Sequence, residues 1–331
     1  MKHWQKPLIL SVVVAIALYF FAMLLTDFTA TRAALARMSA SAWFIIIGLS
    51  LFNYALRFWR WSSYIDTFRS AARDGSAQHQ NNNLSIRRHL SYYLAGFSLS
   101  TTPGKAGEAI RSIYLRYHGV SYHDSISALF VERLLDLIAI TLLAVLACIY
   151  FPQYEWIAGA TAAVALISLF LIREPKVLSW GEKVAAHLGR LQKISQHMII
   201  MLRSAVMLMS NRQLLGGLTL GVLAWGAEGI GLYIILEAMG VHVDLWLAVS
   251  IYGVAVLAGA ISFLPGGLGG TEAVMTLLLI ASGVDKSTAF AATLVCRLAT
   301  LWFAVLVGLI AMTFNTLYPY SADSNKTLVS P

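Results

Sequence analysis

The chain has 331 residues, of which 58% are hydrophobic and 12% charged, with a formal charge of +8. An average soluble domain carries roughly 25% charge, so this composition excludes an ordinary soluble protein and points to a bilayer. The basic surplus flanks apolar runs, which fits the positive-inside rule and anionic lipid headgroups and argues against a nucleic-acid partner.

Taken in chain order, Met1-Lys2-His3 and Lys6 precede an apolar run that resembles a signal peptide without a small-residue cleavage site. Residues 8–25 are therefore expected to be a retained first span. Residues 27–40 read as a loop with Arg32 and Arg37. Residues 41–55 read as a second span, closing toward Arg57 and Arg60 with Phe58, Trp59 and Trp61 at interface depth. A basic stretch follows to Arg88, and the polar tract 76–85 reads as a flexible loop.

Residues 89–100 are apolar but too short to span. They end in the first of two similar breaks, Thr101-Thr102-Pro103-Gly104-Lys105-Ala106-Gly107-Glu108. Proline removes a donor and glycine tolerates unusual backbone angles, so a helix cannot easily run through. Arg111, Tyr114 and Arg116 then recur at helical spacing. With Arg87 and Arg88 on the other flank, residues 89–116 read as a re-entrant hairpin. Residues 125–150 make a third span, 152–156 a tight connection and 157–172 a fourth.

Residues 173–212 form a basic amphipathic connector suited to the membrane surface, with a more apolar part from Met198 to Met209. Residues 214–239 make a fifth span, containing Glu228 and the small Gly226 and Gly229, which suit close helix packing. A second hairpin over 245–283 holds the break Leu264-Pro265-Gly266-Gly267-Leu268-Gly269-Gly270-Thr271-Glu272. Residues 288–314, with Arg297, form a sixth span, and 315–331 are a polar tail.

Basic residues number two at the N-terminus, six over 57–88 and seven over 173–212, against Arg32, Arg37 and Lys286 on the other side. This places the N-terminus in the cytoplasm of a bacterial-type inner membrane. The fold expected is an all-α polytopic membrane protein of about six spans and two re-entrant broken-helix hairpins in an inverted repeat. The first half would cover 1–172, with the repeat boundary near 151–157, and the remainder 213–314. Discontinuous helices of this kind build the sites of many secondary transporters.

Ionisable residues inside such runs are costly unless paired or wet. Glu132, Arg133 and Asp136 share one region of the third span and are expected to meet Glu108 and Arg111 of the first hairpin. Glu228, Glu272 and Arg297 form the corresponding set, in which Arg297 beside both glutamates would balance their charge or leave one carboxylate protonated. The arginines suit phosphate, which guanidinium holds with two directed hydrogen bonds. Thr102, Thr271, Lys105 and the backbone at Gly104, Gly107, Pro265, Gly266, Gly267 and Gly269 would complete a headgroup site. The scattered histidines and the buried-type Cys148 and Cys296 carry no metal or cofactor motif, and neither is expected.

Three motifs together resemble the lysylphosphatidylglycerol synthase transmembrane-region, or flippase-like, family: Pro103 to Arg111, Glu132-Arg133-Leu134-Leu135-Asp136, and Pro265 to Gly269 with Glu272. The resemblance covers roughly residues 8–314 and implies movement of a lipid or lipid-linked headgroup between leaflets. Candidate substrates are an anionic or aminoacylated phospholipid, undecaprenyl phosphate and a prenyl-linked sugar. A proton, another ion gradient such as sodium, or passive scrambling would drive it. Larger relatives carry a soluble aminoacyl-transferase domain, for which the chain is expected to have no room after Pro331. The alternatives are a membrane transferase using Glu108 or Asp136 as general base, and a scaffold for a glycan- or lipid-modifying enzyme.

Overall fold

The computed structural model describes residues 28–74, 84–152, 155–174, 192–262 and 264–318, with positions 176, 177, 179, 180 and 183. The expected span at 8–25, most of the polar tract after 75 and the tail beyond 318 lie outside the described residues. Within the described residues the fold is helical, with no strand.

The order is α1 (Phe28–Ala36), α2 (Ala40–Asp74), α3 (Ile86–Phe97), α4 (Ile110–Arg116), α5 (Tyr122–Val145), α6 (Glu155–Arg173) and α7 (Gln192–Met207). It continues with α8 (Asn211–Ala238), α9 (Leu245–Ile261), α10 (Gly270–Ala281), α11 (Lys286–Arg297) and α12 (Phe303–Leu317). Among the described residues, three helices are long and apolar enough to cross a bilayer: Ala40–Ala71, Asn211–Ala238 and the continuous run Lys286–Leu317. α9 and α10 are shorter apolar helices. α5 has 24 residues but carries Glu132, Arg133 and Asp136 along its length.

Two expectations are corrected. Residues 27–40 are not a loop: α1 forms because Thr31 and Ala34 bury one face against α11. Beyond it, Arg37 donates to the Met239 carbonyl at 2.9 Å and satisfies the end of α8. The second span does not close at Arg57: α2 runs 35 residues without interruption, and Arg57, Arg60 and Trp61 are buried rather than at an interface. Trp59 is exposed, as an interface anchor would be. The connector's later part packs on the bundle: Ser127 donates to the Met201 carbonyl at 2.7 Å and Ser204 to Asp124 at 2.9 Å.

Side-chain bonds sort the helix ends. Gln213 and Thr67, and Arg173 and Asn211, tie the end of α2 and of α6 to the start of α8. Asn315 at the end of α12 meets Ser91 near the start of α3. At the opposite end, Asp244 caps α9 through the Trp246 and Leu247 amides and accepts from Tyr150. That hydroxyl, then the two amides, hold the exposed Asp244 carboxyl below the ordinary aspartate range. α3 and α4 pack together as one hairpin, and α9 and α10 as another.

The hairpins are seated by small residues. A Cβ on Gly308 of α12 would overlap the backbone at Phe97 and Ser98, so α12 lies directly on the end of α3. A Cβ on Gly229 would lie 3.1 Å from Val249 Cα, whereas one on Gly226 meets nothing within 4 Å. Gly308→Leu is expected to destabilise the protein by roughly 1–3 kcal/mol or more through overpacking. Gly226→Ala should be neutral, and thermal unfolding in detergent separates the two.

Candidate functional site

The site begins with charge buried between α2, α5 and the first hairpin. Arg57 and Arg60 lie one turn apart on α2 and reach α5. Arg60 Nη2 is 2.5 Å from Asp136 Oδ1, and Arg57 Nη2 is 3.1 Å from Glu132 Oε1 and 3.3 Å from Asp136 Oδ2. From α4, Arg111 bridges Glu108 at 2.8 Å and Glu132 at 3.0 Å. Arg133 Nη2 is 2.9 Å from Glu132 Oε1, 3.2 Å from Asp136 and 3.6 Å from Glu108. Glu108 also accepts from Ser100 at 2.8 Å.

Arg111 is enclosed by aromatic faces, its guanidinium 4.2 Å from the Tyr93 centroid, 5.0 Å from Trp61 and 5.5 Å from Phe97. Gly96 leaves the space its side chain occupies. The two expected clusters therefore meet, but Arg111 is locked within the protein.

The two breaks share an entry, an extended residue followed by Pro at the start of a 3-10 turn. A 3-10 turn runs from Pro103 through Gly104 to Ala109, its entry fixed by Gly107 donating to Thr102 Oγ1 at 2.7 Å. Lys105 adopts φ +56°, and Gly267, at the matching place in the second break, adopts +67°. Only the glycine does so without steric strain, so Lys105 is held in a conformation that costs a non-glycine residue about 1–2 kcal/mol.

In the second break, the Gly269 amide donates to Glu272 Oε2 at 2.8 Å, satisfying the start of α10. Arg297 joins both sides of that break, with Nε 2.7 Å from Glu272 and Nη2 2.8 Å from the Gly266 carbonyl. Immediately after Arg297 the helix widens into a π turn, Leu298–Trp302. Its Ala299 and Thr300 carbonyls accept from Ser50 and Tyr54 of α2 at 2.9 and 3.0 Å. Arg297 pairs with Glu272, and among the described residues no ion pair joins it to Glu228. Glu228 accepts from the Tyr252 hydroxyl instead.

The breaks touch, since a Cβ on Gly266 would lie 3.3 Å from Thr101 Cα. Between them is a cavity of about 400 Å³, within the usual range for ligand sites. Arg57, Lys105, Arg133 and Arg297 line it, as do Glu108, Asp136 and Glu228. Thr102, Gly266, Gly267 and Thr271 are also in its wall, whereas Arg111, Glu132 and Glu272 sit behind it, buried. Pro265, Gly107 and Gly269 shape the turns and are not among the described residues of that wall.

Several donors in the wall are uncommitted. Arg57 Nε, Arg133 Nε and Trp225 Nε1 are buried without hydrogen-bond partners. Lys105 Nζ lies 5.4 Å from the Trp225 centroid, and among the described residues no carboxylate is within ion-pair distance of it. Leu137, Ile140 and Val256 give the wall an apolar side, and the exposed Ile261 and Leu264 form its rim.

Sequence reasoning missed Arg57, Arg60, Trp225 and Tyr252. Arg57 and Arg60 were absorbed into the count of basic residues outside the membrane. Their signal was a one-turn spacing inside an apolar helix, beside Trp61 and Tyr64, which are also buried.

Together these features define a helical membrane protein whose interrupted helices meet around a charged cavity. The chain belongs to the lysylphosphatidylglycerol synthase transmembrane-region family, whose model matches residues 8–308. It is 28% identical to a UPF0104 membrane protein of Methanothermobacter thermautotrophicus over 69% of this chain and 75% of the relative. A UPF0104 membrane protein of Pyrococcus horikoshii is 24% identical over 84% of this chain and 89% of that one. A phosphatidylglycerol lysyltransferase of Staphylococcus epidermidis is 30% identical over 108 residues, which are 32% of this chain and 13% of that one.

Removing one partner of a buried charge network leaves the other unpaired and costs about 3–5 kcal/mol. Asp136→Asn should therefore lower thermal stability in detergent strongly, and the double variant Arg60→Met/Asp136→Leu should recover part of the loss. Wild-type stability in Asp136→Asn would refute the buried pairing.

Proposed function

We propose that this protein is a lipid translocase that carries an anionic, phosphate-bearing headgroup between leaflets. The reading is supported by one observation above all: the two helix breaks touch at a cavity lined by Lys105, which has no carboxylate within ion-pair distance among the described residues, and by Arg57, Arg133 and Arg297. Lys105 offers the charged donor a phosphate accepts, beside Arg57, Arg133 and Trp225, which line the same wall. The apolar rim at Ile261 and Leu264 suits an acyl or prenyl chain. An anionic phospholipid, an aminoacylated phospholipid and a polyprenyl phosphate share this chemistry.

In this reading the chain crosses an inner membrane about six times, with a cytoplasmic N-terminus. The hairpins enter from opposite faces as the two halves of an inverted repeat. Alternating exposure of the cavity then requires only that the hairpins shift against each other. A transferase using Glu108 or Asp136 as general base is less well supported, because both carboxylates are occupied by arginines, Arg111 at 2.8 Å from Glu108 and Arg60 at 2.5 Å from Asp136.

The test is leaflet exchange of fluorescent phosphatidylglycerol, lysyl-phosphatidylglycerol or undecaprenyl phosphate in sealed phosphatidylethanolamine vesicles, with uptake of inorganic phosphate as the soluble arm. Lys105→Gly removes the uncommitted cation and relieves its backbone strain. It should leave stability equal or higher while slowing exchange roughly tenfold to a hundredfold, the worth of one charge-assisted hydrogen bond. Phosphate uptake without lipid exchange, or turnover of a lipid-linked donor without crossing, would sink the reading.

A further inference from the structure

Of the carboxylates at the site, Glu108, Glu132, Asp136 and Glu272 each lie within 4 Å of an arginine. Glu228 does not. It is 6% exposed, lines the cavity from the middle of α8, and its bonded partner is the neutral Tyr252 hydroxyl of α9. The groups facing it from the surrounding elements are Tyr54 and Arg57 of α2, Arg133 and Asp136 of α5, Lys105 of the first break, and Cys296 and Arg297 of α11. None of these cations is within ion-pair distance of it. A carboxylate so enclosed, without a cationic partner, is far cheaper to keep neutral than charged.

The charge balance gives that neutrality a consequence. Arg57, Arg60, Lys105, Arg111, Arg133 and Arg297 face five carboxylates, so the site holds one net positive charge when Glu228 is ionised and two when it is protonated. A phosphodiester headgroup is a monoanion. Its entry and the protonation of Glu228 therefore favour one another, and the linkage is reciprocal.

We propose that Glu228, positioned by Tyr252, is a proton-binding site at which one proton accompanies each anionic headgroup through the cavity. The inference rests on the translocase reading. The carboxylate takes a proton from the side to which the cavity is open and returns it to water on the other side. No bond other than the O–H bond is made or broken. Tyr252 donates to the ionised form, so its removal makes Glu228 hold its proton to higher pH.

The experiment uses phosphatidylethanolamine vesicles containing fluorescent phosphatidylglycerol, with a trapped pH-sensitive dye. It is paired with infrared spectroscopy of the protein across a pH series. Wild type should show lipid exchange that rises as pH falls, with proton entry in step. A carboxyl C=O band should titrate over the same range. Glu228→Gln should remove the band, abolish proton entry and flatten the pH profile. Tyr252→Phe should shift the midpoint upward by about one to two pH units, the worth of a hydrogen bond to a charged group.

A band titrating with Glu228 in a protein that moves no lipid would retain the proton site and refute the translocase. Lipid exchange with an unchanged pH profile in Glu228→Gln, or with a response to sodium alone, would overturn the proton site and leave the translocase standing.

Discussion

The structure depends on keeping several full charges out of water and mutually satisfied. Arg57, Arg60, Arg111 and Arg133 share Glu108, Glu132 and Asp136 within a network drawn from four segments of chain. An isolated charge there would be prohibitive, so each element is fixed by its partners as much as by apolar packing. Small residues make the geometry possible: Gly96 admits the Arg111 side chain, and Gly217 and Gly221 let α8 close over Tyr64 and Arg60. The first hairpin is thereby anchored at its break, where a helix would otherwise be weakest.

The second break is held differently. One guanidinium, Arg297, spans it by binding Glu272 on the helical side and the Gly266 carbonyl on the turn side. The π turn beside Arg297 exposes carbonyls that α2 captures through Ser50 and Tyr54. α2 therefore carries two charges into the first network and two hydroxyls into the support of the second. It bonds to both assemblies, and its unbroken 35 residues suit that role.

Much of this was legible in the sequence. Pro103 and Pro265 with their glycines located both breaks, and Glu132, Arg133 and Asp136 in an apolar run required partners. Legibility failed where one residue type serves two purposes. Arg57 and Arg60 look like interfacial charges when counted along the chain, because a positive-inside count has no knowledge of burial. Trp61 looked like an interface anchor for the same reason. The separation of Glu228 from Arg297 depends on which faces of α8, α9 and α11 meet, and a sequence without partners to compare does not encode that directly. Gly226 and Gly229 show the same limit: three positions apart on one helix, only Gly229 receives a neighbouring backbone.

The breaks enter alike and are unlike in chemistry, and the difference has a direction. Lys105 and Gly267 occupy equivalent places with nearly the same φ, yet only the first carries a side chain. At Gly267 a Cβ would approach Thr271 Oγ1 at 2.9 Å and the Gly259 backbone at 3.2 Å, so the second break has no room for one. The charged arm must therefore come from the first break, and it reaches across to Trp225 on α8. The apolar rim lies at the second break, at Ile261 and Leu264. Arg297 brings a further charge to the second break, but it is bound to Glu272 and the Gly266 carbonyl, so the cation without a carboxylate partner stands at one break and the exposed hydrocarbon at the other. That polarity follows from steric room at two glycine-rich turns.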